Sequence, residues 1–378
     1  MAMRLPNGFS SGGAACGIKA DGSPDLGVIV ADRPVEWAGT FTRNAAAAAS
    51  VHWCRHLLGG RVRGVVCNSG NANACTGASG IKAVESVASE VATVLGCSRD
   101  EVLVASTGTI GIELPVELIT SALPSVIASR GDSIEAFARA IMTTDTKMKL
   151  SRIEIDGASV VGVAKGAAML APNMATMLAF IVTDAAVEDL QSILTHSVAM
   201  SFDRISVDAC ESTNDSVFLL AGGTVPVDRQ RFAQGVGSIC KDLAEQMVRD
   251  AEGGSRFVRI QVSGASDDEA AAQLGRAVAA SVLWRAAVNG GDPNWGRVLA
   301  ALGAADRSLD VSSLSVAIGP EVLFDKGEPT GSLDAARKAM QADDITLSCV
   351  VGEGGGSAEI LSSDLSTEYV ALNAEGST

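Results

Sequence analysis

The stretch Lys165-Gly166-Ala167-Ala168-Met169-Leu170-Ala171-Pro172-Asn173-Met174-Ala175-Thr176-Met177-Leu178-Ala179-Phe180 is the most unusual part of the sequence. Its residues are small and apolar. A Pro-Asn pair, a turn former, stands just before Ala175-Thr176. On bare pattern it reads as a turn that feeds a buried strand, and Asp184 follows that strand. Strands predicted at 151–155 and 159–164 lie before it and one at 178–183 after it, so the segment joins neighbouring strands.

Working outward, strand-like and helix-like segments alternate, which indicates mixed α and β structure. Arg63 to Cys67 reads as a buried strand. It ends in Asn68-Ser69-Gly70-Asn71-Ala72-Asn73, a loop of small polar residues, and a helix follows to about Leu95. Glu101 to Ala105 reads as a second strand, ending in Ser106-Thr107-Gly108-Thr109-Ile110-Gly111. Helices are predicted near 134–142, 186–200, 230–249 and 267–283. Further strands are predicted near 216–221, 256–263, 312–318 and 345–351. There is no repeat of fixed period and no low-complexity linker.

With 378 residues, 47% hydrophobic and 19% charged, the chain can bury one large core or two ordinary ones. Its net charge of −15 repels phosphate backbones and anionic lipid, so neither nucleic acid nor membrane is expected as a partner. Eight Cys are scattered without a CxxC pair, most of them in apolar runs. They read as reduced core thiols in a cytoplasmic protein. No signal-peptide pattern and no apolar run of membrane-spanning length is seen.

Most nucleophilic sites need a His base, and only His52, His56 and His196 are present. His52 and His56 share a helix spacing with Cys54 nearby, but no metal-ligand set forms around them, and no Gly-x-Ser-x-Gly elbow exists. The loops at 68–73 and 106–111 fit no phosphate-binding motif. They place backbone N–H groups and small hydroxyls at strand ends, which suits an oxyanion hole at least as well as a phosphate, while from spacing alone the plain reading of Thr107-Gly108 is a turn. One nucleophile needs no His. An N-terminal Thr uses its own α-amine as base, with a pKa of roughly 7.7–8.0. Nothing in spacing predicts the cut that would expose Thr176.

Several long motifs follow one another in the order of a known family. They are Gly17-Ile18-Lys19, Phe41-Thr42-Arg43-Asn44, Asn68 to Gly77, Ser106-Thr107-Gly108 and Ile141-Met142-Thr143-Thr144-Asp145-Thr146. Lys165 to Phe180 comes next. Then come Ser212-Thr213-Asn214-Asp215, Ala251-Glu252-Gly253, Asp292-Pro293-Asn294-Trp295-Gly296-Arg297 and Asn373-Ala374-Glu375. Over nearly the whole chain the sequence resembles the ornithine acetyltransferases, also called glutamate N-acetyltransferases, of arginine biosynthesis.

That resemblance implies self-cleavage at Ala175-Thr176, giving a chain of residues 1–175 and a chain of residues 176–378 that share one intertwined core. It implies an α+β fold of stacked sheets flanked by helices, and an α2β2 heterotetramer. Thr176 matches the nucleophile, and Thr107 and Gly108 match the oxyanion hole. Thr143, Lys165, Thr176, Glu252, Asn373 and Thr378 match substrate-binding positions. The implied reaction moves acetyl from N-acetylornithine to glutamate without metal or cofactor, and leaves acetyl-CoA open as an alternative donor. Lys165 would pair with the donor's carboxylate and Glu252 with its ammonium. The chain departs from the family at Cys210-Glu211, at Gly254-Ser255 and at Gly376-Ser377, which puts substrate choice in question more than chemistry. A hydrolase on the same scaffold, a paralogue serving a specialised pathway and an uncut binding protein stay open as alternatives.

Overall fold

The computed structural model describes residues 2–169 and 177–375. The strands, in chain order, are β1 (Phe9–Ala14), β2 (Leu26–Phe41), β3 (Arg61–Asn71), β4 (Val102–Thr109), β5 (Lys149–Ile155), β6 (Ala158–Lys165), β7 (Leu178–Ala186), β8 (Ile205–Ser206), β9 (Ser216–Pro226), β10 (Phe257–Ala265), β11 (Ser315–Ile318), β12 (Glu321–Asp325), β13 (Glu328–Pro329), β14 (Asp344–Val350) and β15 (Gly356–Ser363). The helices are α1 (Ala49–His56), α2 (Gly77–Leu95), α3 (Val116–Ala128), α4 (Glu135–Ile141), α5 (Leu190–Ala199), α6 (Arg229–Arg249), α7 (Asp268–Ala280), α8 (Val282–Asn289), α9 (Trp295–Ala305), α10 (Leu333–Ala339) and α11 (Thr367–Glu375).

Two mixed sheets form. The first runs β4-β3-β2-β9-β7-β6-β5, with β1 paired to β2, and the second runs β13-β12-β11-β14-β10-β15-β8. In the first sheet, β9 and β7 are inserted between β2 and β6. Strands from before and after residue 175 therefore alternate in one sheet. β6 and β7 pair antiparallel with Lys165 opposite Leu178, so the ends of the Lys165–Phe180 stretch lie side by side. The long β2 is interrupted by a bulge between Val30 and Val35, pairing with β3 along one part and β9 along the other. Bulges bend the strand that carries them.

That bend positions the site. Laid flat at about 4.8 Å per strand, β4 and β6 would lie about 24 Å apart. Instead the sheet curls around one apolar core, where Val65 and Leu103 from β3 and β4 share a cluster with Val161, Phe180 and Phe218. Phe180 is at its centre, edge-on to Phe137 of α4 at 4.9 Å and stacked on Phe218 at 5.2 Å between ring centroids. Helices α2 and α3 cover the outer face of β2 to β4. Helices α5 and α6 cover the outer face of β6, β7 and β9, and Phe257 and Leu361 of the second sheet join the same cluster. Helices α7 to α10 close the other side of the second sheet. β6 and β7 are covered on both faces, which is why they read as continuous apolar runs.

Several boundaries differ from the sequence reading. β3 continues through Asn71 and β4 through Thr109, so the two polar stretches are strand rather than loop along most of their length. Their polar side chains are satisfied inside the fold, as when Ser106 Oγ donates to Asn68 Oδ1 at 2.7 Å. The helix expected at 186–200 begins at Leu190, because Ala185 and Ala186 still pair with β9. The helix expected at 267–283 breaks at Ser281, whose hydroxyl caps the next helix. The strand expected at 312–318 starts at Ser315 after a short 3-10 turn. Of the eight Cys, Cys54, Cys67, Cys240 and Cys349 are buried, while Cys75 and Cys210 are exposed, so core thiols are only half of the set. Among the described residues no helix is long and apolar enough to cross a membrane.

Phe180→Ala empties the centre of the curl. A loss of about 3–5 kcal/mol in stability to chemical denaturation is expected. An unchanged midpoint would show that the curl does not depend on this ring.

Candidate active site

Lys165, at the last position of β6, is only 2% exposed. Its ammonium donates to Thr107 Oγ1 at 3.1 Å and to Thr143 Oγ1 at 2.7 Å. Three residues from β4, from the loop after α4 and from β6 thus meet at one point. Lys165 is no surface ion pair. Burial lowers its pKa, and Asp145 opposes that shift.

A buried charge needs support, and Asp145 begins it. Its Oδ1 accepts from the Gly166 amide at 2.7 Å and from Lys149 Nζ at 2.6 Å, and its Oδ2 accepts from the Thr143 amide at 3.0 Å. Lys149 also donates to Asp250 Oδ2 at 2.6 Å and is 1% exposed. Burial pushes the Asp145 carboxyl up, but Lys165 and Lys149 outweigh it and hold the pKa at about 2. Lys149 thus fixes Asp145, which fixes the backbone on both sides of the Lys165–Thr143 contact. Lys19 braces the same loop, donating to Met142 O at 2.6 Å.

Gly108 follows Thr107 with φ +131, a conformation that side chains rarely adopt. A Cβ there would sit 2.3 Å from the Gly70 carbonyl carbon. The approach of β3 to β4 therefore requires glycine at 108. The loop after β3 is fixed by Asn214, whose side-chain amide donates to Ala72 O at 2.6 Å and to Ser106 O at 2.8 Å. The next residue, Asp215, accepts the Met177 amide on Oδ1 at 2.7 Å. Adjacent residues of one motif therefore hold the end of β4 and the chain leading into β7.

Glu252 reaches the same region through backbone, its amide donating to Ala167 O at 2.8 Å. Its carboxylate accepts from Asn373 Nδ2 at 2.9 Å, which ties it to α11. Helix α11 can approach because residue 253 is Gly, where a Cβ would lie 2.4 Å from the Tyr369 amide nitrogen. The fold therefore brings Thr107, Gly108, Thr143 and Lys165 together and places Glu252 and Asn373 beside them. Ala175, Thr176 and Thr378 lie outside the described residues, as do Gly376 and Ser377. Ser255 departs from the family pattern but has a clear role, its hydroxyl and amide both donating to Asp364. Glu211 accepts from Asn44 through its carbonyl only. His52 and His56 are exposed on α1, and no group of three or more metal-ligating side chains is assembled among the described residues.

Sequence reasoning missed the support. Lys149, Asp250 and Asp215 carried no role, although Asp145 and Asp215 fall within quoted motifs. No local signal marked them, since Lys149 stands among other charges in Lys147-Met148-Lys149-Leu150-Ser151-Arg152.

Chemically, the Lys165 contact orients Thr107. A hydroxyl has one hydrogen and two lone pairs. With an ammonium occupying a lone pair, the Thr107 hydrogen points elsewhere and is available to a developing oxyanion. Lys149→Met removes one partner of a buried ion cluster, with an expected stability cost of about 3–5 kcal/mol. Stability should also fall as pH drops from the ordinary Asp value toward 2. Asp145 has a depressed folded pKa, so its contribution is fully present above the ordinary unfolded Asp value and is lost as pH falls from there through the folded value of about 2. Asp145→Asn should flatten this part of a stability-against-pH curve measured by thermal melting, and a curve like that of the parent would contradict the assignment.

Comparison with known proteins places the chain in a family. The pattern of the ArgJ family matches residues 10–378. An "arginine biosynthesis bifunctional protein ArgJ" of Thermus thermophilus is 42% identical over 379 residues, covering 99% of each chain. A "glutamate N-acetyltransferase" of Methanopyrus kandleri is 40% identical over 389 residues, again covering 99% of each. A crystal structure of an arginine biosynthesis bifunctional protein from Bacillus halodurans matches with a TM-score of 0.50 and 32% identity, covering 52% of this chain and 98% of that one. The motifs that converge on Lys165 and the match over almost the whole sequence agree: this chain belongs to the ArgJ family.

Proposed function

We propose that the chain cuts itself between Ala175 and Thr176 and that Thr176 then carries acetyl from N-acetylornithine to glutamate, giving ornithine and N-acetylglutamate. The observation that carries this reading is the buried Lys165–Thr107 contact at the end of the strand that precedes the cut. It supplies an oriented hydroxyl and a positive charge beside the chain that enters β7. The names of the relatives, glutamate N-acetyltransferase among them, support the reaction class.

In the proposed sequence, the Thr176 amine takes the hydroxyl proton and the oxygen attacks the acetyl carbonyl. The Thr107 hydroxyl and the Gly108 N–H stabilise the oxyanion. Ornithine leaves with the proton, and the acetyl ester remains on Thr176. Glutamate attacks that ester in turn, so the acyl group is transferred rather than hydrolysed. Lys165 has given two of its three N–H bonds to Thr107 and Thr143. The third is assigned to the substrate's carboxylate, as a charge-assisted bond. Glu252, held by Asn373, is assigned to the ammonium of the ornithine side chain, and Thr143 and Thr378 are assigned to substrate binding as well.

The cut leaves pieces of 175 and 203 residues. The strand order supports a stable product, since β7 and β9 lie between β2 and β6 and would keep the pieces interlocked. The solved relative, covering about half of this chain with nearly all of its own, has the length expected of one such piece. The proposal includes assembly as α2β2, residence in the cytoplasm, no requirement for metal, and acetyl-CoA as a second acetyl donor, for which the relatives named bifunctional give support.

The test is acetyl transfer from N-acetylornithine to labelled glutamate. Formation of labelled N-acetylglutamate is expected. Release of free acetate at a rate indifferent to glutamate would instead identify a hydrolase on this scaffold. Thr107→Val should lower kcat by roughly 10²–10³-fold with little change in KM, the size of effect typical for loss of an oxyanion donor.

A further inference from the structure

The carboxylate of Glu252 belongs to a closed ring of bonds that turns on Ser366. Ser366 lies between β15 and α11 and is 8% exposed. Its hydroxyl donates to Gly253 O at 2.5 Å and accepts the Tyr369 amide at 3.0 Å. The Tyr369 carbonyl accepts from Asn373 Nδ2 at 3.0 Å, and the same nitrogen donates to Glu252 Oε2 at 2.9 Å. Glu252 and Gly253 are covalent neighbours, so the ring closes. Glu252 Oε1 accepts no hydrogen bond among the described residues, which leaves it open to a ligand.

Ser366 is the point on which this ring depends. It stands immediately before α11 and takes the amide three residues on, the bond of a helix N-cap. Helix α11 has nine residues, too few to hold its shape alone. From Thr367 to Ala374 every residue is exposed except Tyr369. Tyr369 is the one firm contact, with the Arg285 guanidinium 5.9 Å from its ring centroid and Gly253 pressed against its amide. The helix is therefore docked by its first turn, and Asn373, one turn further on, takes its place from that dock. The loop after Glu252 is gripped from the same end of the second sheet, where Asp364 Oδ1 accepts the Ser255 and Arg256 amides at 2.8 and 2.9 Å.

We propose that Ser366 is a specificity-determining positioning residue: by joining Gly253 to the first turn of α11 it sets the Asn373 amide against Glu252 Oε2 and so fixes Oε1 for the side-chain ammonium of the donor. The inference rests on the reading of Glu252 given above. An ammonium that leaves water needs its counter-charge already in place. A carboxylate that must first be ordered charges that ordering against binding. The cost falls on a cationic donor and not on a neutral one of the same length, so Ser366 acts on the choice between them.

The test compares two acetyl donors, with glutamate as acceptor. One is N-acetylornithine, and the other is N-acetylnorvaline, which has the same carbon chain without the ammonium. The parent is expected to favour N-acetylornithine in kcat/KM. Ser366→Ala should cut that preference roughly 3- to 30-fold, the range of a lost helix cap. The change should come from a higher KM for N-acetylornithine, with its kcat and the constants of the neutral donor little changed. Ser366→Thr, which keeps the hydroxyl, should restore the preference. An unchanged ratio in Ser366→Ala overturns the proposal. So does an equal loss for both donors, since a merely structural role predicts that. Should Ser366→Ala not fold, Ser366→Gly takes the same measurement, because glycine is tolerated at an N-cap and also lacks the hydroxyl. A parent that transfers acetyl from both donors without preference refutes the assignment of Glu252 itself, and this proposal falls with it.

Discussion

The arrangement depends on one buried charge. The Lys165 ammonium stands at 2% exposure between two neutral hydroxyls, and bulk water is not there to solvate it. Only a fixed set of counter-charges makes that tolerable. Asp145 and Asp250 supply it, shared between Lys165 and the second buried cation Lys149, with Asp145 also gripping the Gly166 and Thr143 amides. The same bonds that neutralise the charge set the backbone on both sides of it. The curl of the first sheet follows the same logic, since β4 and β6 are far apart in strand order yet their ends must meet at this ammonium.

A second consequence concerns the proposed cut. A chain severed between neighbouring strands could separate unless the pieces are interlocked. Here the strands that follow the cut sit between strands that precede it, bonded on both sides. Asn214 and Asp215 add a local clasp, one holding the loop beside Thr107 and the other the amide of Met177. The chain from Met177 onward is therefore held by strand order and by one four-residue motif, Ser212 to Asp215.

The sequence carried much of this and not all. The apolar runs at 159–164 and 178–183 read as strands because both faces of β6 and β7 are covered. Thr107-Gly108 was legible as an oxyanion candidate from small residues at a strand's end, though not as a strand continuing to Thr109. The roles of Lys165, Glu252 and Asn373 came from family resemblance, because a Lys at the end of an apolar strand has no periodicity to mark it. The polar support at Lys149, Asp250 and Asp215 was invisible, since its members lie far apart along the chain and only the closed sheet brings them together. The split of 267–283 at Ser281 was missed for a local reason, a side-chain cap whose pull exceeded helix propensity.

The central claim is that one threonine, freed by cleavage, carries the acetyl group. Intact-mass measurement of the purified protein, before and after addition of N-acetylornithine, addresses it directly. The account predicts two chains divided between Ala175 and Thr176, with one acetyl increment appearing on the chain that begins at Thr176 and disappearing when glutamate is added. A single uncut chain, or an acetyl increment on the piece that ends at Ala175, would contradict it.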